Sequence, residues 1–218
     1  MIDFKLDDGI IELELRIGIK EDFFLKLLEE DDWSFIIKLH SLFEAACNHL
    51  LLYHLKEPNL TDIINRIDLS SKPIGKLVFL EKLELISKED KRLISKLSEL
   101  RNNLVHDIKN YEFNLKNMIE EFGPNQLRQF AIDFSPFETL VRYFQTLKDF
   151  HPLPNPNIDE ILKNQTNIDN LIKRASEDPK FHIWFGSHSA LKSIVDNFAY
   201  SSYQNWMKAK KIYNEDED

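Results

Sequence analysis

The strongest hydrophobic pattern spans positions 32–56, where Trp33, Phe35, Ile36, Leu39, Leu42, Phe43, Leu50 and Leu51 leave little polar surface. A helix apolar on nearly every side belongs at the centre of a bundle. His40, Glu44 and Asn48 recur in it at every fourth residue as one thin polar stripe, and Pro58 closes it. A second long pattern covers 89–107, with Leu93, Leu97, Leu100 and Leu104 on one stripe and Ser95, Glu99, Asn102 and His106 roughly opposite. Shorter helical patterns occupy 21–30, 60–67, 74–86, 113–121, 125–132, 136–150, 158–176 and 189–213. Before the 74–86 pattern, Ser70 and Ser71 suit capping and Pro73 suits a first helical turn.

Two stretches depart from the helical period. Over 4–19, Ile11, Leu13, Leu15 and Ile17 alternate with Glu12, Glu14 and Arg16 after the turn signal Asp8-Gly9, which predicts a short hairpin or a single strand. The aromatic run Phe181-His-Ile-Trp-Phe185, followed by Gly186, reads as a packed loop. His151-Pro-Leu-Pro-Asn-Pro-Asn157 holds three prolines and marks an extended connector. The expected organisation is mainly α: an N-terminal β segment over 1–20, a helical bundle over 21–150, and a C-terminal helical extension with an acidic tail over 151–218.

Composition narrows the chemistry. With 5 glycines in 218 residues, glycine-rich phosphate loops and many-stranded sheets are disfavoured. The net charge of −9 disfavours a generic basic surface for nucleic acid, so any RNA or DNA contact is expected to be local. No helix-turn-helix with a basic recognition helix is visible, which argues against direct repression of DNA. Cys47 is the only cysteine and lies in an apolar run, so an inert core thiol is expected. His40, His49 and His54 share no helical face, and no metal or cofactor site is expected. The start of the chain lacks a basic-then-apolar signal pattern, and no stretch holds the roughly 18 uninterrupted apolar residues of a membrane span. A cytoplasmic protein with no membrane association is the expectation.

The most concentrated chemistry lies in Leu100-Arg101-Asn102-Asn103-Leu104-Val105-His106-Asp107. Asn102 sits one turn before His106, while Arg101 lies about 140° round the helix from it. Arg101 and His106 would therefore meet at one phosphate only through the arginine's reach or through a second subunit. For Arg101 the competing reading is a surface ion pair with Asp107 or another acid. Glu44 has two readings: a carboxylate facing Arg101 or His106 as an anchor, or one bonded to backbone or tyrosine. Asp107 suits capping or a salt bridge as well as a place beside the site.

Arg101-Asn102, three further residues and His106 resemble the Arg-Asn-x-x-x-His signature of the HEPN superfamily. Leu42-Phe-Glu44-Ala45, Pro73-Ile-Gly75, Lys82-Leu-Glu-Leu-Ile86 and Tyr111-Glu-Phe113 are similar to the mannitol operon repressor branch of that superfamily. The resemblance covers about residues 30–115. It implies a helical bundle that dimerises through the signature helix, placing two Arg–His pairs in one cleft. In active members that cleft is a metal-independent endoribonuclease without cofactor. His106 would transfer protons at the ribose 2′-hydroxyl or the leaving 5′-oxygen, Arg101 would hold the phosphate, and Asn102 would orient either. Glu44 and Asp107 would lie behind them. Ile108 stands where members regulated through a tyrosine carry it, so that mode of control is not expected. The reading leaves three outcomes open: a toxin- or defence-type ribonuclease with RNA as substrate and an antitoxin or regulatory partner, a catalytically silent regulator acting through another protein, or a dimerisation module.

Overall fold

A computed structural model describes residues 8–106, 108–135 and 164–215, with side-chain surroundings for 8–106, 109–135 and 164–198. The expected helix over 136–150, the proline-rich connector, Asp107 and the acidic tail from 216 onward lie outside the described residues. Within them the chain is all-helical. The ten α-helices are α1 (Asp8–Arg16), α2 (Phe23–Lys26), α3 (Asp32–Leu55), α4 (Thr61–Arg66), α5 (Lys76–Lys82), α6 (Lys88–Val105), α7 (Leu115–Glu120), α8 (Pro124–Asp133), α9 (Gln165–Glu177) and α10 (Pro179–Glu215).

Among the described residues of the expected N-terminal β segment there is no strand: residues 8–16 form α1. Ile10, Leu13 and Glu14 are buried there and Ile17 packs behind them, a spacing of three, four and seven that only a helix places on one side. Leu15, which the alternation requires inside, is 53% exposed. The alternation was a partial view of a helical face. α1 packs on α10, and its buried Glu14 carboxylate accepts the backbone N–H of Phe24 at 2.7 Å, anchoring the first turn of α2.

α3 is the central helix, as its composition predicts. Asp31 caps its start by accepting the Ser34 N–H at 2.8 Å, and Lys56 ends it in the left-handed conformation. By length and composition α3 is apolar enough to cross a bilayer, with an 18-residue window of mean hydropathy 1.2. Here its apolar residues form core instead: Phe35, Ile36, Leu39, Phe43, Ala46, Cys47 and Leu50 have no exposed surface. Burial pushes the Cys47 thiol up to about 12, so it is neutral and unreactive at physiological pH.

The C-terminal helices share this core. Phe181 to Gly186, expected as a loop, lie inside α10. Trp184 stacks on Phe24 at 4.8 Å and donates its indole N–H to the Phe24 carbonyl at 2.9 Å. Lys180 reaches the Asp32 carboxylate at 2.8 Å, and the other oxygen of Asp32 accepts the Leu115 N–H at 2.8 Å. One acidic residue at the start of α3 thus ties together α3, α7 and α10. Gly186 has a steric reason: a Cβ there would overlap the Phe134 carbonyl oxygen and come within 3.1 Å of Leu93 Cδ1. Its missing side chain lets α10 lie against the end of α8 and the side of α6.

Candidate functional site on helix α6

α6 is fixed at both ends. A capping box starts it, with Ser87 Oγ accepting from Asp90 N at 3.0 Å and Asp90 Oδ2 accepting from Ser87 N at 3.2 Å. The same Asp90 oxygen accepts the buried Ser193 hydroxyl of α10 at 2.9 Å. At the other end the Asn110 side-chain amide donates to the carbonyls of Asn103 and Leu104 at 3.0 and 3.4 Å, covering acceptors that a helix end leaves open. Leu93, Leu97 and Leu104 are buried and Leu100 packs against the core, as their stripe predicts.

The signature residues then fall where helical geometry puts them. His106 caps the C-terminus and is exposed; Asn102 is exposed as well. Arg101 is half-buried, and among the described residues its side chain bonds Asn102, from Nη1 to Oδ1 at 3.1 Å. Among the described residues no carboxylate pairs with it; Asp107 lies outside them. Arg101 and Asn102 are brought together; His106 has no hydrogen bond to either. Val105 and Tyr111, 39% and 62% exposed, leave apolar surface at the end of α6 and in the turn that follows it.

On its inner side Arg101 adjoins a polar cluster made by the stripe of α3. The stripe meets one neighbour per turn: His40 Nε2 lies 3.1 Å from Ser98 Oγ of α6, Glu44 Oε1 accepts from Lys76 Nζ of α5 at 3.0 Å, and Asn48 Nδ2 donates to Asn65 Oδ1 of α4 at 3.1 Å. Among the described residues the Glu44 carboxylate makes no hydrogen bond to Arg101, His106, backbone or tyrosine. It is the counter-ion of Lys76, whose side chain has no exposed surface while that of Glu44 is 40% exposed. An ammonium so placed needs its carboxylate, since removing one partner of a buried pair strands the other charge.

Ser98 Oγ donates to the Ile94 carbonyl at 2.9 Å, so its single proton is used and His40 Nε2 must be the donor in their contact. That leaves Nδ1 as the bare acceptor, and no described residue bonds it. Burial is the main cause holding the His40 pKa below its ordinary value; the Glu44 carboxylate opposes that and the Arg101 guanidinium adds to it. Asp68 also raises it and Lys76 lowers it. The Asp68 carboxylate is itself bound by the N–H groups of Ser70 and Ser71, at 2.8 and 2.6 Å.

His40 is the residue that sequence reading passed over as a candidate for this site. Its signal was present: a histidine, a glutamate and an asparagine four apart in a helix otherwise apolar. Spacing along α3 does not reveal that Ser98, three residues before Arg101, stands opposite. Among the described residues no group of histidine, cysteine and carboxylate side chains is placed to hold a metal ion. Compared with known proteins, the chain matches no family model, no curated protein and no solved structure.

Proposed function

We propose that the chain is a HEPN-type endoribonuclease that works without metal, binding a scissile phosphate at Arg101 and moving protons with His106 at a cleft between two copies. The observation that carries this reading is the Arg101 guanidinium, half-buried and, among the described residues, free of any carboxylate partner and bonded only to Asn102. An arginine held in this way keeps most of its donors for an incoming anion, where charge-assisted and bidentate bonds are strongest. Asn102 orients it. The exposed His106, Val105 and Tyr111 suit a surface completed by a second copy. Asp107, outside the described residues, keeps no assigned role here.

Cleavage of a fluorescent oligoribonucleotide in the presence of EDTA tests the reading. Arg101→Ala is expected to lower kcat by about 10²–10³-fold, the usual loss when a transition-state charge donor is removed. Products ending in a 2′,3′-cyclic phosphate and a 5′-hydroxyl are expected. Intact RNA with wild-type protein at micromolar concentration overturns it. A second reading, a silent regulator that binds a protein partner, is favoured by the net charge of −9 and by exposed Ile74, Phe79 and Leu83 around α5. It predicts that RNA stays intact while substitutions at Phe79 and Leu83 abolish partner capture.

A further inference from the structure

Two imidazoles belong to the neighbourhood of Arg101, and they are held in opposite ways. His106 is exposed and unbonded at the helix end, about 140° round α6 from Arg101. Ser98 and Arg101 are three apart, hence on one face of α6. His40, bonded to Ser98 at 3.1 Å, therefore lies under the face that carries Arg101, within a single copy of the chain.

The hydrogen-bonding capacity of this cluster is mostly used. Ser98 serves Ile94 and His40, Lys76 serves Glu44, and Asp68 serves two backbone amides. What remains is the second carboxylate oxygen of Glu44 and of Asp68, one imidazole acceptor, His40 Nδ1, and the unspent donors of Arg101. His40 is 8% exposed as a residue, and its Nδ1 is not one of the fully covered polar atoms that lack a partner. A ribose 2′-hydroxyl next to a phosphate asks for the pair of His40 and Arg101, an acceptor for its proton and donors for the phosphate oxygens.

We propose that His40 is the general base of the Arg101 site, and that His106 acts as the acid on the leaving oxygen; this rests on the ribonuclease reading above. The 2′-hydroxyl proton passes to His40 Nδ1 as the 2′-oxygen attacks phosphorus. The bond from phosphorus to the 5′-oxygen breaks with its electron pair, and that oxygen takes a proton from His106. His40 leaves the step as an imidazolium with Nε2–H still on Ser98 Oγ, then returns its proton to water, while His106 recovers one. Arg101 neutralises the charge gathered on the phosphate oxygens. Burial keeps His40 neutral and ready to accept, against the opposing carboxylates of Glu44 and Asp68 and with the cations Arg101 and Lys76.

His40→Gln tests this in the full-length protein, because the glutamine amide can still donate to Ser98 but offers no basic nitrogen. The expected result is a kcat lower by on the order of 10²–10³-fold, KM within about twofold, and loss of the acid limb of the kcat/KM profile against pH. A merely structural role moves stability and leaves that limb in place. A variant as active as wild type, with the limb unchanged, overturns the proposal while the ribonuclease reading stands; RNA left intact by the wild-type protein removes both. Should His40→Gln not fold, imidazole ¹⁵N shifts of the wild-type protein decide. Adding an oligoribonucleotide whose scissile 5′-oxygen is replaced by methylene, which keeps the 2′-hydroxyl but cannot be cleaved, is expected to move the His40 Nδ1 resonance; movement of His106 alone overturns the assignment.

Discussion

His182 shows what one buried imidazole does to this molecule. Its ring has no exposed surface, Nε2 lies 3.0 Å from the Ala131 carbonyl, and Nδ1 is covered without a partner. Burial pulls its pKa from 6.5 down to about 4, against the smaller upward effect of the Ala131 bond. Because the folded value lies below the unfolded one, the unfolded chain takes up a proton between these limits that the folded chain refuses. Stability is full above about pH 6.5, falls as pH drops, and the loss levels off below about pH 4, reaching about 3 kcal/mol. Urea unfolding at pH 7 and pH 4.5 checks this: His182→Gln, which keeps a donor for Ala131, is expected to remove much of the difference. His40 is held down by the same desolvation but sits between opposing charges. Chemical context, more than residue type, separates a structural histidine from a working one.

Among the elements, α10 was the hardest to read. Its glycine and aromatic cluster interrupt the periodic pattern, yet the helix runs through Gly186 because the neighbouring backbone comes too close for a side chain. Gly186→Ala sets two effects against each other. Alanine favours a helix by about 1 kcal/mol, while forcing a methyl onto the Phe134 carbonyl and the Leu93 side chain costs about 1–3 kcal/mol or more. A backbone carbonyl cannot turn aside as a flexible side chain does, so the clash wins. A net destabilisation of about 2 kcal/mol is expected in thermal or urea unfolding; an unchanged or raised midpoint would show that α10 and α8 are not packed this closely. α1 teaches the complementary lesson, since nine residues can satisfy an alternating and a helical pattern together. Its docking on α10 and the Glu14 bond to Phe24 select the helix.

Taken as a whole, the molecule keeps His106 apart from the groups that stabilise it. The core joins residues from α1 to α10, and the fully buried Lys76 is paired with the partly exposed Glu44. His106 lies outside both. His106→Ala is accordingly expected to change unfolding free energy by no more than about 0.5 kcal/mol, readable as a midpoint shift of about 1–2 °C at this chain length. A loss of RNA cleavage in that variant then reports chemistry and not unfolding. A large drop in its midpoint would place His106 inside a packed interface.

Amphipathic spacing alone determined the mainly helical class, α3 as the central helix, the leucine face of α6 and the outward side of Asn102 and His106. These follow from a local period and from the removal of apolar surface from water, both carried by neighbouring residues in the chain. Tertiary structure decided the partners of the polar stripe on α3. Glu44 found Lys76, Asn48 found Asn65, and His40 found Ser98 beneath Arg101, across separations of 32, 17 and 58 residues. It also turned α1 from a strand into a helix and carried α10 through its glycine. Those outcomes depend on which surfaces meet, and a buried polar group is satisfied by whatever donor or acceptor the packing brings to it.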